Sequence, residues 1–112
     1  MELERAGGGV AGRFFVKQDH QGPPGVAHGG IVGAALDEAM SLAVHSEDVY
    51  ALTREVQLHL HAPAPVGAFV RIEARVDRRE GKRLWTRATA SSEEGERLAE
   101  ATGLFVKVEE PG

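Results

Sequence analysis

One stretch of this chain, Gly29 to about Ser46, is long enough and rich enough in Ala, Leu and Met to form a helix, and nearly everything after it alternates with period two. Within the stretch Ile31, Val32, Ala34, Ala35, Leu36, Ala39, Met40, Leu42, Ala43 and Val44 are apolar, and only Asp37 and Glu38 are charged. A helix that is apolar on most sides is normally buried. Gly30, Gly33 and Ala34 let another backbone approach it closely, so it is expected to be the central helix of the fold.

The rest of the chain then has to supply sheet. Leu52, Val56, Leu58 and Leu60 alternate with Thr53, Glu55, Gln57, His59 and His61 until Pro63 and Pro65 end the strand. Val70, Ile72, Ala74 and Val76 alternate with Arg71, Glu73, Arg75 and Asp77, a turn follows over 79–82, and 84–91 pairs back. A turn at Glu93-Glu94-Gly95 leads into a last strand over 97–108, where Ala99, Ala101 and Gly103 leave one face low enough for a helix. Ahead of the helix, 13–17 reads as a strand and 19–27, with Gly22, Pro23, Pro24 and Gly25, as a loop. Residues 1–11 read as a flexible lead-in whose loss matters little, and 12–108 as one domain. The expectation is an α+β fold in which an antiparallel five-stranded sheet wraps one long helix. One helix cannot cover both faces of such a sheet, so a partner molecule is expected over its exposed edge or surface.

A chain of 112 residues suffices for one domain, which places any substrate cleft inside one core or between copies. The formal charge is −4, from 13 Lys and Arg against 17 Asp and Glu, with no basic run beyond a local pair; nucleic acid is not an expected partner. The absence of cysteine removes disulfides, thiolate metal sites and cysteine nucleophiles. The N-terminus has no signal-like apolar run and no segment reaches the ~18 to 20 apolar residues of a membrane span, so a cytoplasmic protein with no membrane partner is expected.

The chemistry concentrates where Gly22-Pro23-Pro24-Gly25-Val26-Ala27-His28-Gly29-Gly30 runs into the helix, with Asp37 two turns inside. The first amides of a helix lack intrahelical acceptors and lie at its positive end, so they suit a developing oxyanion. Glycine there lets a substrate carbonyl come close. At 100° per residue the Asp37 face also carries Gly30, Gly33, Ala34, Met40, Ser41 and Val44, and a carboxylate among small and apolar groups loses water, which suits it to a base's work. Glu38 points about a quarter turn away, near His45, and ranks below Asp37.

His28-Gly29-Gly30 followed by Asp37 resembles the hotdog-fold thioesterases, in the branch of 4-hydroxybenzoyl-CoA and phenylacetyl-CoA thioesterases that carries its acid on the central helix. The string 22–40 is similar to the mammalian thioesterase superfamily acyl-CoA hydrolases, as is Thr53 opening a strand that ends at Pro63-Ala64-Pro65-Val66-Gly67. The resemblance covers roughly 14–106. It implies hydrolysis of acyl-CoA thioesters to coenzyme A and a carboxylic acid. Asp37 would activate water or attack the carbonyl, the Gly29 amide would polarise it, and His28 beside Gly30 would shape the loop. Thr53 would hold the attacking water across a homodimer with shared sites, often paired into a tetramer. Relatives place Asn or Gln before the His-Gly-Gly; the nearest counterpart here is Gln21. Coenzyme A is part of the substrate, so no bound cofactor is implied.

Arg79, Lys82 and Arg83 beside a tight turn are candidates for coenzyme A phosphates. His59 and His61, on one strand face, lack a placed third ligand and point to a polar surface rather than a metal. Two other functions fit the motif: a hotdog dehydratase or hydratase using His28 with Asp37 or Glu38, and a non-catalytic acyl-CoA-binding protein.

Overall fold

The computed structural model describes residues 1–109. Its elements are β1 (Glu2–Ala6), β2 (Gly9–Phe15), a 3-10 turn (Gln18–His20), α1 (Gly29–His45), β3 (Ala51–Leu60), β4 (Phe69–Glu80), β5 (Arg83–Ser92) and β6 (Arg97–Lys107). The strands form one antiparallel sheet in the order β1-β2-β4-β5-β6-β3.

This is the expected α+β arrangement with one strand more. Glu2–Ala6, read as a weakly ordered lead-in, pairs with β2 from Glu2↔Arg13 to Ala6↔Gly9. Gly7 and Gly8 have φ of 51° and 87°, the left-handed conformations that a tight two-residue hairpin needs, so a glycine tract that looked like slack is a turn. The strand expected over 13–17 accordingly begins at Gly9 and carries the buried Val10.

The helix packs on one face of the sheet through Val32, Leu36, Ala39, Met40, Ala43 and Val44, which meet Ile72, Leu84, Ala88, Ala101 and Phe105 in one buried cluster. The small residues of β6 set the approach: a Cβ at Gly103 would lie 3.3 Å from both Cε and Sδ of Met40. Thr86, the buried polar residue of this face, donates its hydroxyl to the Gly103 carbonyl at 3.0 Å and so costs the core no unpaired group. The helix is covered on one side. Gly30, Ala34, Glu38, Ser41 and Leu42 on the other are exposed.

β3 is a sheet edge with only β6 beside it, and Val56, Leu58 and Leu60 are 39%, 38% and 55% exposed. The strand does not keep one phase. A bulge between Thr53 and Glu55 sets Thr53 opposite the buried Phe105 and Val56 opposite Gly103, so Thr53 shares the helix-facing side with Val56, Leu58 and Leu60. Leu52, grouped with those leucines by simple alternation, pairs with Val106 on the far side.

Candidate active site

The loop before α1 is held by its own side chains. The Lys17 amide donates to His20 Nδ1 at 2.9 Å, the His20 ring lies 5.0 Å from that of Phe14, and the His20 carbonyl accepts from the His28 amide at 2.7 Å. Gln21 Oε1 accepts from the Gly25 amide at 2.8 Å across the turn of 22–25, where Gly25 takes a φ of 85°. A Cβ at Gly22 would stand 3.0 Å from His28 Cα, so the smallest residue is the one that fits. The amides of Ala27 and Val66 donate to the carbonyls of Ala64 and Gly25, tying the loop to the β3–β4 connection.

At the helix start His28 is the N-cap, and its Nδ1 accepts from the Gly30 amide at 2.9 Å. A neutral ring that accepts at Nδ1 carries its proton on Nε2. The Ile31 and Val32 amides both reach the His28 carbonyl, at 3.0 and 3.4 Å. Of the first four helical amides, that of Gly29 alone has no acceptor among the described residues.

Asp37 is half-buried, and its Oδ1 is shielded from solvent with no hydrogen-bond partner among the described residues. A buried, unpaired carboxylate oxygen works against folding, so this aspartate is not held for stability. Its neighbours can be placed by repeat lengths. Leu60 Cδ1 and Leu58 Cδ2 each lie 2.8 Å from where a Cβ of Gly29 and of Gly33 would be. Four helical residues advance about 6 Å and two strand residues about 6.6 Å, so the next step sets Val56 level with Asp37. Thr53 follows one further step along the same side, because of the bulge.

Gly29 also lines an apolar cleft of about 350 Å³ between the loop and the end of β3, together with Val26, Leu60 and Leu98. Asp37 is not part of its wall. Eight helical residues separate the two, which is about 12 Å along the axis.

The remaining candidates lie elsewhere. Arg79, Lys82 and Arg83 are exposed around the Gly81 turn, which is pinned by the Lys107 amide donating to the Lys82 carbonyl at 2.7 Å. The next link, Val108 N–H to the Tyr50 carbonyl at 3.0 Å, sets that end of the sheet beside the exit of the helix, while Gly29 is at its entrance. One chain therefore does not bring these cations to Gly29.

His59 and His61 lie by Glu100, which sequence reasoning did not single out. His61 Nε2 is 3.1 Å from Glu100 Oε1, and Arg97 donates to Oε2 at 3.1 Å. The hydrogen bond from His61 holds the Glu100 carboxyl below its ordinary range, with the charges of His61, Arg97 and His59 adding to it. Among the described residues no three His, Cys, Asp or Glu side chains are grouped to hold a metal, and no helix is long and apolar enough to cross a membrane.

A sequence model described as the thioesterase superfamily matches residues 24–99. The chain belongs to that superfamily. Among curated relatives, acyl-coenzyme A thioesterase THEM4 of Mus musculus is 31% identical over 90 residues, which is 80% of this chain and 39% of that protein. The Xenopus laevis protein of the same name is 29% identical over 89 residues, 79% of this chain and 40% of its own length. This chain thus spans about two fifths of the curated relatives it matches. The fold is the hotdog fold of known thioesterase structures. A Thermus thermophilus protein superposes with a TM-score of 0.87 at 26% identity, covering 96% of this chain and 91% of that one. A hypothetical thioesterase of Streptococcus pneumoniae, solved with coenzyme A, gives 0.91 at 18%, covering 99% and 88%.

Proposed function

We propose that this chain hydrolyses acyl-CoA thioesters, releasing coenzyme A and a carboxylic acid, at sites built between two copies. The observation that carries the proposal is the pair of unspent polar groups on one helix: a Gly29 amide without an acceptor and an Asp37 oxygen buried without a donor. The amide holds the thioester oxygen and stabilises the oxyanion; the carboxylate activates water or attacks the carbonyl carbon directly.

The two groups are about 12 Å apart along a single helix, too far to serve one carbonyl carbon together. They meet when two helices lie antiparallel across a two-fold axis, so that the entrance of each faces the middle of the other. The exposed β3 edge and the uncovered side of α1 supply the surface for that dimer, and further pairing gives a tetramer. Thr53 then holds the attacking water, and Arg79, Lys82 and Arg83 of one copy approach the phosphates of a coenzyme A bound at the Gly29 of the other. His28 and Gln21 act as positioning residues for the amide. Two lines of likeness support the reading: the named activity of the THEM4 relatives, and coenzyme A in the solved Bacillus halodurans neighbour at 26% identity. In mutants of the Streptococcus pneumoniae protein, alanine replaces an aspartate and a threonine that stand as far apart as Asp37 and Thr53.

The dehydratase alternative needs His28 as a base. Its Nδ1 is occupied by the helix cap and its Nε2 carries the proton, which leaves no free lone pair.

The test is thiol release from acyl-CoAs. Asp37→Ala should lower the rate by roughly 100-fold or more. Gly29→Pro removes the amide while suiting a helix's first position, and His28, at φ −62° and ψ 135°, already has the backbone a following proline requires. It should fold and lose on the order of 100-fold in kcat. Mixing the two inactive proteins should restore about a quarter of the wild-type sites, since half the dimers then hold one intact pair. If the mixture stays inactive while subunits exchange, the shared site is wrong.

A further inference from the structure

Resting on the thioesterase reading, we infer that the apolar cleft at the start of α1 is the acyl subsite, and that it selects unsubstituted aryl or medium-length aliphatic acyl groups over acetyl and over long chains. Gly29, whose amide faces the thioester oxygen in that reading, is itself part of the cleft wall. The acyl carbon bonded to that carbonyl therefore starts at the cleft. Beyond it the walls are mostly apolar, with Val26, Val32, Leu60, Val70 and Leu98, and His61 is the one lining residue with a polar side chain. The loop and strand backbones behind those walls are already paired, Ala27 with Ala64 and the amides of His61 and Ala62 with the Leu98 carbonyl. An acyl hydroxyl entering among these apolar side chains would lose water, and the Nε2 of His61 is already engaged by Glu100 Oε1 at 3.1 Å, so its burial is costly.

Size gives the second limit. A cavity of about 150 Å³ holds a benzene ring, and this cleft is about 350 Å³. It takes a phenyl group with a short linker, or a chain of hexanoyl to octanoyl length, and is mostly empty around an acetyl methyl. A palmitoyl tail overruns it. Val70 and Leu98 close the cleft and are 1% and 2% exposed, members of the main core, so the floor does not deepen on demand. Ala62 is a half-buried wall residue with a small side chain, and it is the specificity-determining position.

The experiment measures kcat/KM for acetyl-, butyryl-, hexanoyl-, phenylacetyl-, 4-hydroxybenzoyl- and palmitoyl-CoA on wild type and Ala62→Leu. Wild type should gain about fourfold or more per added methylene up to hexanoyl, accept phenylacetyl, and fall off at palmitoyl and 4-hydroxybenzoyl. Ala62→Leu should cut the hexanoyl-to-acetyl ratio by about tenfold or more. Leu60→Ala, which opens the exposed wall, should raise the palmitoyl-to-hexanoyl ratio and guards against a merely misfolded first variant. Turnover that is flat across the acyl series overturns the assignment. So does an equal loss for acetyl and hexanoyl in Ala62→Leu, because the cleft would then hold the pantetheine arm. Absence of thiol release from every substrate instead sinks the thioesterase reading, and this assignment with it.

Discussion

The two edges of the sheet are built from opposite materials. β1 closes one side with five residues, Glu2-Leu3-Glu4-Arg5-Ala6, three of them charged, on a short hairpin. β3 closes the other with ten residues, and its Val56, Leu58 and Leu60 remain exposed. An exposed strand edge is a template for another chain, and short length and charge are how proteins blunt it. The contrast teaches that pairing is blunted at β1 and left open at β3, the edge to which the proposed dimer assigns its second copy. That is where a second copy would bring its own Asp37 to the neighbouring Gly29.

The largest effect should come from spoiling the apolar edge. Val56→Lys, level with Asp37, should shift the assembly to monomers in sedimentation and lower acyl-CoA hydrolysis on the order of 100-fold, because each site loses half its groups. A monomeric variant that keeps full activity would break the comparison. Removing residues 1–6 should act in the other direction. Leu3 is partly buried against the core, so the truncation should cost about 1–2 kcal/mol and lower the melting temperature by roughly 5–10 °C. Assembly and hydrolysis should survive it. If the truncated protein instead falls to monomers, β1 is an assembly edge too.

The smallest effect is on the outer surface of β3, at the Glu100–His61 pair. Glu100 titrates below its ordinary value of 4.5, so its contribution to stability is present above that pH and is lost as the pH falls through the lowered value. Glu100→Gln should therefore lower the melting temperature slightly at pH 7 and not at a pH below the carboxyl's lowered value. An equal drop at both would mean that packing, not charge, links β6 to β3. The pair is exposed, so the shift should be at most a few degrees.

Much of this was legible in the sequence where period dominates. The helix runs over Gly29–His45 as its apolar content demands, and β4, β5 and β6 lie within a few residues of their alternating runs. The first hairpin was not legible, since Gly7 and Gly8 give the same composition whether they are slack or hold the positive φ of a turn. The helix start shows the same division. Glycines before an apolar run signal an accessible amide, but only geometry reveals that His28 occupies the Gly30 amide and leaves that of Gly29. Gln21 is the sequence counterpart of the relatives' Asn or Gln; its oxygen is engaged by the Gly25 amide, which two residues of a loop do not announce. That Gly29 and Asp37 of one chain stand two turns apart was countable from the start, and it argues for a second copy more directly than composition does.

The bulge at Arg54 has a consequence for how this site can change over generations. Thr53 and Val56 stand three positions apart, an odd number, and face the same side only because Arg54 absorbs one step; a regular strand that kept Arg54 in its pairing would turn Thr53 to the outer surface and bring Leu52 inward. Loss of the Arg54 codon would instead leave Thr53 opposite Phe105 and only straighten the edge, so the hydroxyl beside the helix outlasts the extra residue but not a re-pairing that takes that residue into the ladder.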